Sequence, residues 1–241
     1  MRTNPLPAQN TSSEVKQGVM LWLRKQAFFL VMLALVLFLS AGTLRWVEGW
    51  VCLGLTALVI ALDAAVLIPS SPELLAERSE KRAGTKSWDN WLVILAVLVF
   101  PFLTWLVAGL DERFGWSGSI PTALWIIAIL LFVGGALITL AAMTANRFFS
   151  ATVRIQSERE HAVVSHGPYR LVRHPGYTGG IIYQLAVPLV LGSWLAIAPS
   201  LLAVACFILR TALEDRTLRS ELAGYQDYAQ RVRYRLFPGV W

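Results

Sequence analysis

Long apolar runs separated by short polar stretches organise the chain, and their lengths predict helices that cross a bilayer. A membrane-spanning helix needs about 20 mostly apolar residues. Runs of that kind occupy 20–43, 46–68, 88–108, 121–143, 180–191 and 194–213. The fifth is short and carries Pro188, which marks it as kinked or as one arm of a helical hairpin. The first is too long for the apolar stretch of a cleaved signal, and no small-residue cleavage site follows it. The pattern predicts an all-α, polytopic membrane protein of about six transmembrane helices. A polar tail (1–19) precedes four spans (20–150), and a C-terminal core (151–241) holds a helical hairpin. Past the last span, Leu218, Leu222, Tyr225 and Tyr228 recur at three- and four-residue spacing, which predicts an amphipathic helix lying back on the protein or the membrane surface. The apolar end at Phe237, Val240 and Trp241 is expected to dock.

Composition agrees with that class. Of 241 residues, 56% are apolar and 15% charged, against roughly 45–50% and about 25% in soluble domains. The two cysteines, Cys52 and Cys206, sit inside apolar runs, where a thiol packs as a small hydrophobe. Charge then sets orientation. All of the 21 Lys and Arg residues except Arg45 and Arg113 fall on one side of the predicted spans. Cytoplasmic loops collect such residues, so both termini are expected in the cytoplasm, at an inner or plasma membrane, and an even number of crossings is required. Trp22, Trp46, Trp50, Trp88, Trp91, Trp105, Trp116 and Trp194 lie near span ends, where indole rings favour the headgroup level. Topology and anionic lipid account for the net charge of +6 without a nucleic-acid partner.

Polar chemistry gathers after the fourth span. His161, His166 and His174 all fall there, five and eight residues apart across a Gly167-Pro168 turn and with no cysteine nearby. Zinc sites pair their ligands more tightly, so no metal is expected. His174 precedes Pro175, which suits the first position of a helix, and that N-terminus beside Arg170 and Arg173 is placed to attract an anion. A basic loop resting on lipid headgroups explains the same charges. At the end of the last span Arg210 and Glu214 share one helical face, while Asp215 and Arg219 read as an ordinary surface pair. Asp63 lies within an apolar run, where an acid needs a partner or water. Gly134-Gly135 suggests close helix packing. The chain has no G-x-G-x-x-G after a strand, no P-loop and no H-E-x-x-H, so any nucleotide-like cofactor needs a different kind of site.

The ordered pattern His161-x-Val163-Val164-x-x-Gly167-Pro168-Tyr169-Arg170-x-x-Arg173-His174-Pro175-x-Tyr177-x-Gly179, then Arg210-x-x-x-Glu214-Asp215-x-x-Leu218 and Gly224-Tyr225-x-x-Tyr228, resembles the isoprenylcysteine carboxyl methyltransferase family. The wider group includes phospholipid N-methyltransferases. The resemblance covers about 156–239; the acidic cluster after Arg210 is reduced here to Glu214-Asp215. It implies methyl transfer from S-adenosylmethionine to a lipidic or prenylated acceptor at the cytoplasmic face. It also implies a cofactor shell of His161, Val163, Val164, Tyr169, His174, Pro175, Tyr177 and Glu214, with Gln156 as a further contact, and Arg210 as the catalytic and substrate-binding residue. The chemistry is compatible: Tyr169 and Tyr177 offer aromatic faces to a sulfonium, Glu214 an anion to an ammonium, and Arg210 a planar fork to a carboxylate. Three alternatives stay open. An amine-lipid N-methyltransferase would need a base such as His161 or His174, a membrane NADPH-dependent sterol-type reductase shares the His-Pro-x-Tyr ending, and a non-enzymatic protein could keep the fold.

Overall fold

The computed structural model describes residues 12–79 and 84–241. Residues 1–11 of the tail, with Arg2, and the loop cations Lys81 and Arg82 lie outside the described residues. The described chain is helical: α1 (Ser12–Ala41), α2 (Val47–Ser70), a short α3 (Pro72–Ser79), α4 (Ser87–Val93), α5 (Phe100–Phe114), α6 (Thr122–Ala145), α7 (Pro175–Val190), α8 (Ile197–Glu221) and α9 (Tyr225–Arg231). A π turn, Ile94–Val99, joins α4 to α5. The cause is local. Pro101 brings no N–H for the ladder, its ring crowds the carbonyl four residues earlier, and the helix widens to make room. The combined segment Ser87–Phe114 is one span, longer than the apolar run alone suggests.

Among the described residues, five helices are long and apolar enough to cross a membrane. α7, with 16 residues, is shorter, about 24 Å at the usual rise. It nevertheless runs from one end of the bundle to the other. Its Val190 carbonyl accepts a bond of 2.9 Å from Trp125 Nε1 at the start of α6. The turn after it is tied to the end of α5, where Asp111 accepts bonds from the Ser117 backbone and from the Ser117 and Ser193 hydroxyls. Six apolar helices therefore pass between two ends, and the protein is an integral membrane protein.

Tight contact between α6 and α7 depends on glycine. A methyl group on Gly135 would sit 2.6 Å from the Gly179 carbonyl and the Tyr183 amide, and one on Gly179 would collide with the Gly135 carbonyl and Thr139. Gly134, by contrast, faces open space. The bundle core gathers Leu37, Trp46, Phe132, Ala186 and Val187. Trp22 and Trp46 are thus core residues rather than headgroup anchors, because both rings are enclosed by neighbouring helices. Trp50, Trp91, Trp116 and Trp194 are exposed.

The end of the chain departs from the expected single amphipathic helix. α8 stops at Glu221, Gly224 takes a left-handed φ of +78°, and α9 begins a new direction. The break lets Leu222, Tyr225 and Tyr228 pack together on Tyr169. Beyond α9 the chain docks. Arg173 and His174 amides donate to the Tyr234 and Arg235 carbonyls, Thr178 Oγ1 donates to the Leu236 carbonyl at 2.8 Å, and Leu236 is buried.

Candidate functional site

The stretch between α6 and α7 has no long helix of its own, so side chains hold its shape. Asn146 caps the end of α6, accepting from the Phe148 amide and donating to the Tyr169 hydroxyl at 3.1 Å. Gln156 is buried and doubly engaged, donating to the Phe148 carbonyl at 2.7 Å and accepting from Arg159 at 2.8 Å. Gly167, at φ +57°, starts the turn that carries Tyr169, whose carbonyl accepts from Tyr228. Pro175 occupies the first turn of α7.

These elements enclose a cavity of about 350 Å³, within the range of small-molecule sites. Its polar wall includes His161, Tyr169, His174, Tyr177, Arg210 and Glu214, and Val163 and Val164 add apolar surface. Val93, Val97, Gly180 and Phe207, all from helices of the bundle, form the apolar side. Two residues assigned to the cofactor shell lie elsewhere. Gln156 has both ends of its amide bonded to protein and braces the loop from behind, and Pro175 is buried under the helix start. His166 is exposed and off the cavity.

His161 stacks beside Phe148, ring centroids 4.6 Å apart, and its Nδ1 accepts from the Gln156 amide at 3.3 Å. That bond puts the proton of the neutral ring on Nε2. Burial, helped by Arg154 and Arg159, pulls its pKa down to about 4. The unfolded chain therefore takes up a proton near the ordinary histidine value of about 6.5, and the folded chain does not until lower pH. Stability contributed here is flat above that value and falls as the pH drops from about 6.5 toward about 4. His161→Asn should remove part of that acid sensitivity; unfolding midpoints recorded between pH 8 and pH 4 in detergent measure it.

Asp215, which the i, i+4 spacing suggested was an ordinary surface partner of Arg219, is a buried hub. It accepts from Arg173 Nε at 2.7 Å, Tyr225 at 3.1 Å, and Arg219 and Arg235 at 3.0 Å each, and His174 Nε2 lies at 3.4 Å. Arg173 also donates to the Val232 and Arg233 carbonyls. It is therefore not available to an anion at the α7 N-terminus as expected; its guanidinium is fully engaged in joining α7, α8 and the C-terminal strap. Burying so many charges costs solvation, and dense pairing offsets it.

A second network was not foreseen. Arg210 directs its planar fork at Asp89 of α4, Nε to Oδ1 at 2.6 Å and Nη2 to Oδ2 at 3.0 Å, while Nη2 also donates to the Ala151 carbonyl. Asp89 is fully buried and accepts the Val153 amide at 2.7 Å as well. Asp89 thus occupies the Nε–Nη2 edge of the fork that was expected to meet a substrate carboxylate, and among the described residues Nη1 carries no hydrogen bond. Arg210 still lines the cavity, its guanidinium 5.3 Å from the Tyr177 ring. Tyr177 in turn donates to Glu214 Oε2 at 2.5 Å, so the other carboxylate oxygen is the one open to a ligand. Asp63 is half-buried on α2 and feels the charge of Arg78 without closing to an ion pair.

Residues 126–220 match the model of the isoprenylcysteine carboxyl methyltransferase (ICMT) family. A probable protein-S-isoprenylcysteine O-methyltransferase of Oryza sativa subsp. indica is 35% identical over 106 residues, covering 43% of this chain and 56% of the relative. The cobalt-zinc-cadmium resistance protein CzcN of Cupriavidus metallidurans is 30% identical over 155 residues, 61% of this chain and 66% of that protein. The chain thus spans about half the length of the plant relatives it matches. Among solved structures, a eukaryotic intramembrane Ras methyltransferase ICMT superposes with a TM-score of 0.54 at 22% identity, covering 89% of this chain and 75% of the other, which shows the fold.

Proposed function

We propose that this integral membrane protein, whose residues 126–220 match the model of the isoprenylcysteine carboxyl methyltransferase family, methylates the carboxylate of a lipidic, prenylcysteine-like acceptor. S-adenosylmethionine, when bound, supplies a methyl group activated on a sulfonium. The observation that carries the reading is one cavity with two kinds of wall: Glu214, His161 and Tyr169 on a polar side, and Val93, Val97 and Phe207 from the bundle on an apolar side. The residues suit both ligands. The free oxygen of Glu214 accepts from the donor's ammonium or ribose hydroxyls, His161 Nε2 donates, and the Tyr169 and Tyr177 faces favour a cation. An ionised carboxylate needs no base, so the protein's contribution is to align acceptor and methyl in line and exclude water.

An amine acceptor is less well supported. His161 presents a protonated Nε2 to the cavity, and His174 is held by Asp215 and Tyr225, so neither is set to remove a proton. The Lys and Arg bias, with six passages through the bundle, supports a cytoplasmic site and cytoplasmic termini. Calorimetry in detergent tests the donor assignment. S-adenosylmethionine and its demethylated product should both bind, and Glu214→Gln should weaken binding about 10- to 100-fold, the range for losing a charged hydrogen bond. Tight NADPH binding without either ligand would overturn the proposal in favour of the reductase.

A further inference from the structure

Four arginines line the cavity, and one stands apart: Arg154, Arg173 and Arg210 are paired with Glu77, Asp215 and Asp89, while Arg78 has no ion-pair partner among the described residues. Arg78 is the last cation of α3, a helix outside the family segment. Its position is fixed. The neighbouring Glu77 is buried against Arg154 at 2.5 Å, and Leu74 and Leu75 are buried in the core below. The Arg78 guanidinium lies over the Phe149 ring, 5.1 Å from its centroid, and Phe149 packs against Gly176 at the start of α7. Burial works against its charge, Asp63 only partly compensates, and Arg210 adds repulsion. A cation held in place, partly desolvated and without an anion is the arrangement that an anionic ligand group completes.

We infer that Arg78, not Arg210, binds the carboxylate of the lipidic acceptor and sets the site's preference for an acid over its ester. The inference rests on the acceptor class proposed above. The fork reaches the carboxylate from the α3 side, the acceptor's chain lies along Val93, Val97 and Phe207, and Arg210 with Asp89 forms a rigid, nearly neutral floor beneath Tyr177. After transfer the ester carries no charge, the pair with Arg78 is lost, and product leaves.

The test compares binding of N-acetyl-S-farnesylcysteine and its methyl ester to the full chain in detergent, saturated with S-adenosylhomocysteine. Wild type should prefer the acid by about 10- to 100-fold. Arg78→Gln should bring the two affinities to within about threefold, by weakening the acid alone, with S-adenosylhomocysteine affinity unchanged. Arg78→Lys, which keeps charge but not the fork, should fall between; if Arg78→Gln does not fold, this variant carries the comparison. An acid preference that survives in Arg78→Gln, or acid and ester weakened equally in Arg78→Lys, overturns the role of Arg78 and leaves methyl transfer by the wild type standing. A wild type that binds neither compound yet binds S-adenosylhomocysteine overturns the acceptor class and the inference with it.

Discussion

Asp215→Ala is expected to unfold the C-terminal core and abolish donor binding. The carboxylate is buried and holds Arg173, Tyr225, Arg219 and Arg235 at once. Its removal leaves Arg173, only 2% exposed at its side chain, as an uncompensated buried cation. Breaking a buried pair in this way costs about 3–5 kcal/mol. The consequences converge on the cavity, because His174 and Tyr225 on its wall lean on the same carboxylate. Asp215→Asn keeps the shape and some hydrogen bonds and should lose less. Thermal unfolding in detergent, with calorimetry of S-adenosylhomocysteine on the same samples, gives both numbers. A stable Asp215→Ala protein with unchanged affinity would mean that the hub is not what holds α7, α8 and the strap together.

The Arg210–Asp89 pair should produce the second large effect, with a distinctive pattern. Arg210→Gln alone strands a fully buried carboxylate, and Asp89→Asn alone strands a buried guanidinium. Each single change is expected to cost about 3–5 kcal/mol. The double variant, in which two neutral amides face each other, should be no less stable than either single variant, so the coupling energy is at least about 3 kcal/mol, the cost of one single change. The side-chain carbonyl that Asp89→Asn leaves in place would still accept the Val153 amide. If the pair is chiefly a scaffold, the double variant should also keep measurable turnover. If Arg210 were instead the carboxylate anchor, restored stability would come without restored activity. Unfolding midpoints and initial rates on the four proteins of the cycle separate these outcomes.

Much of the fold was legible because the bilayer makes hydrophobicity a direct reporter of helices: each of the six apolar runs coincides with an observed helical span and overruns its ends by no more than about three residues. Boundaries were harder. Helices α5 and α8 continue past their apolar stretches as far as Phe114 and Glu221, since intrahelical bonds do not stop where lipid does. The walls of the site were largely legible too. His161 to Tyr177 is a continuous local pattern, and Glu214 follows one α-helical turn after Arg210. What spacing could not reveal was pairing over distance. Asp89 and Arg210 are 121 positions apart, and Asp89 stands at the start of an apolar run with no local partner to mark it. The same reasoning that singled out Asp63, that an acid beside apolar residues needs a partner, applied with more force to Asp89. Asp215 was misjudged for a related reason: an i, i+4 partner is visible in sequence, and Arg173 and Arg235 are not.

The central claim, carboxyl methylation of a lipidic acceptor, meets its most direct test in the chemistry of the product. Protein in detergent is incubated with S-adenosylmethionine labelled in the methyl group and with N-acetyl-S-farnesylcysteine, and the extracted lipid is treated with mild base. Label that enters the lipid and is released by base as methanol identifies a carboxyl methyl ester, and that is the predicted result. Label that withstands base after incubation with phosphatidylethanolamine, with none transferred to the prenylcysteine, would contradict it.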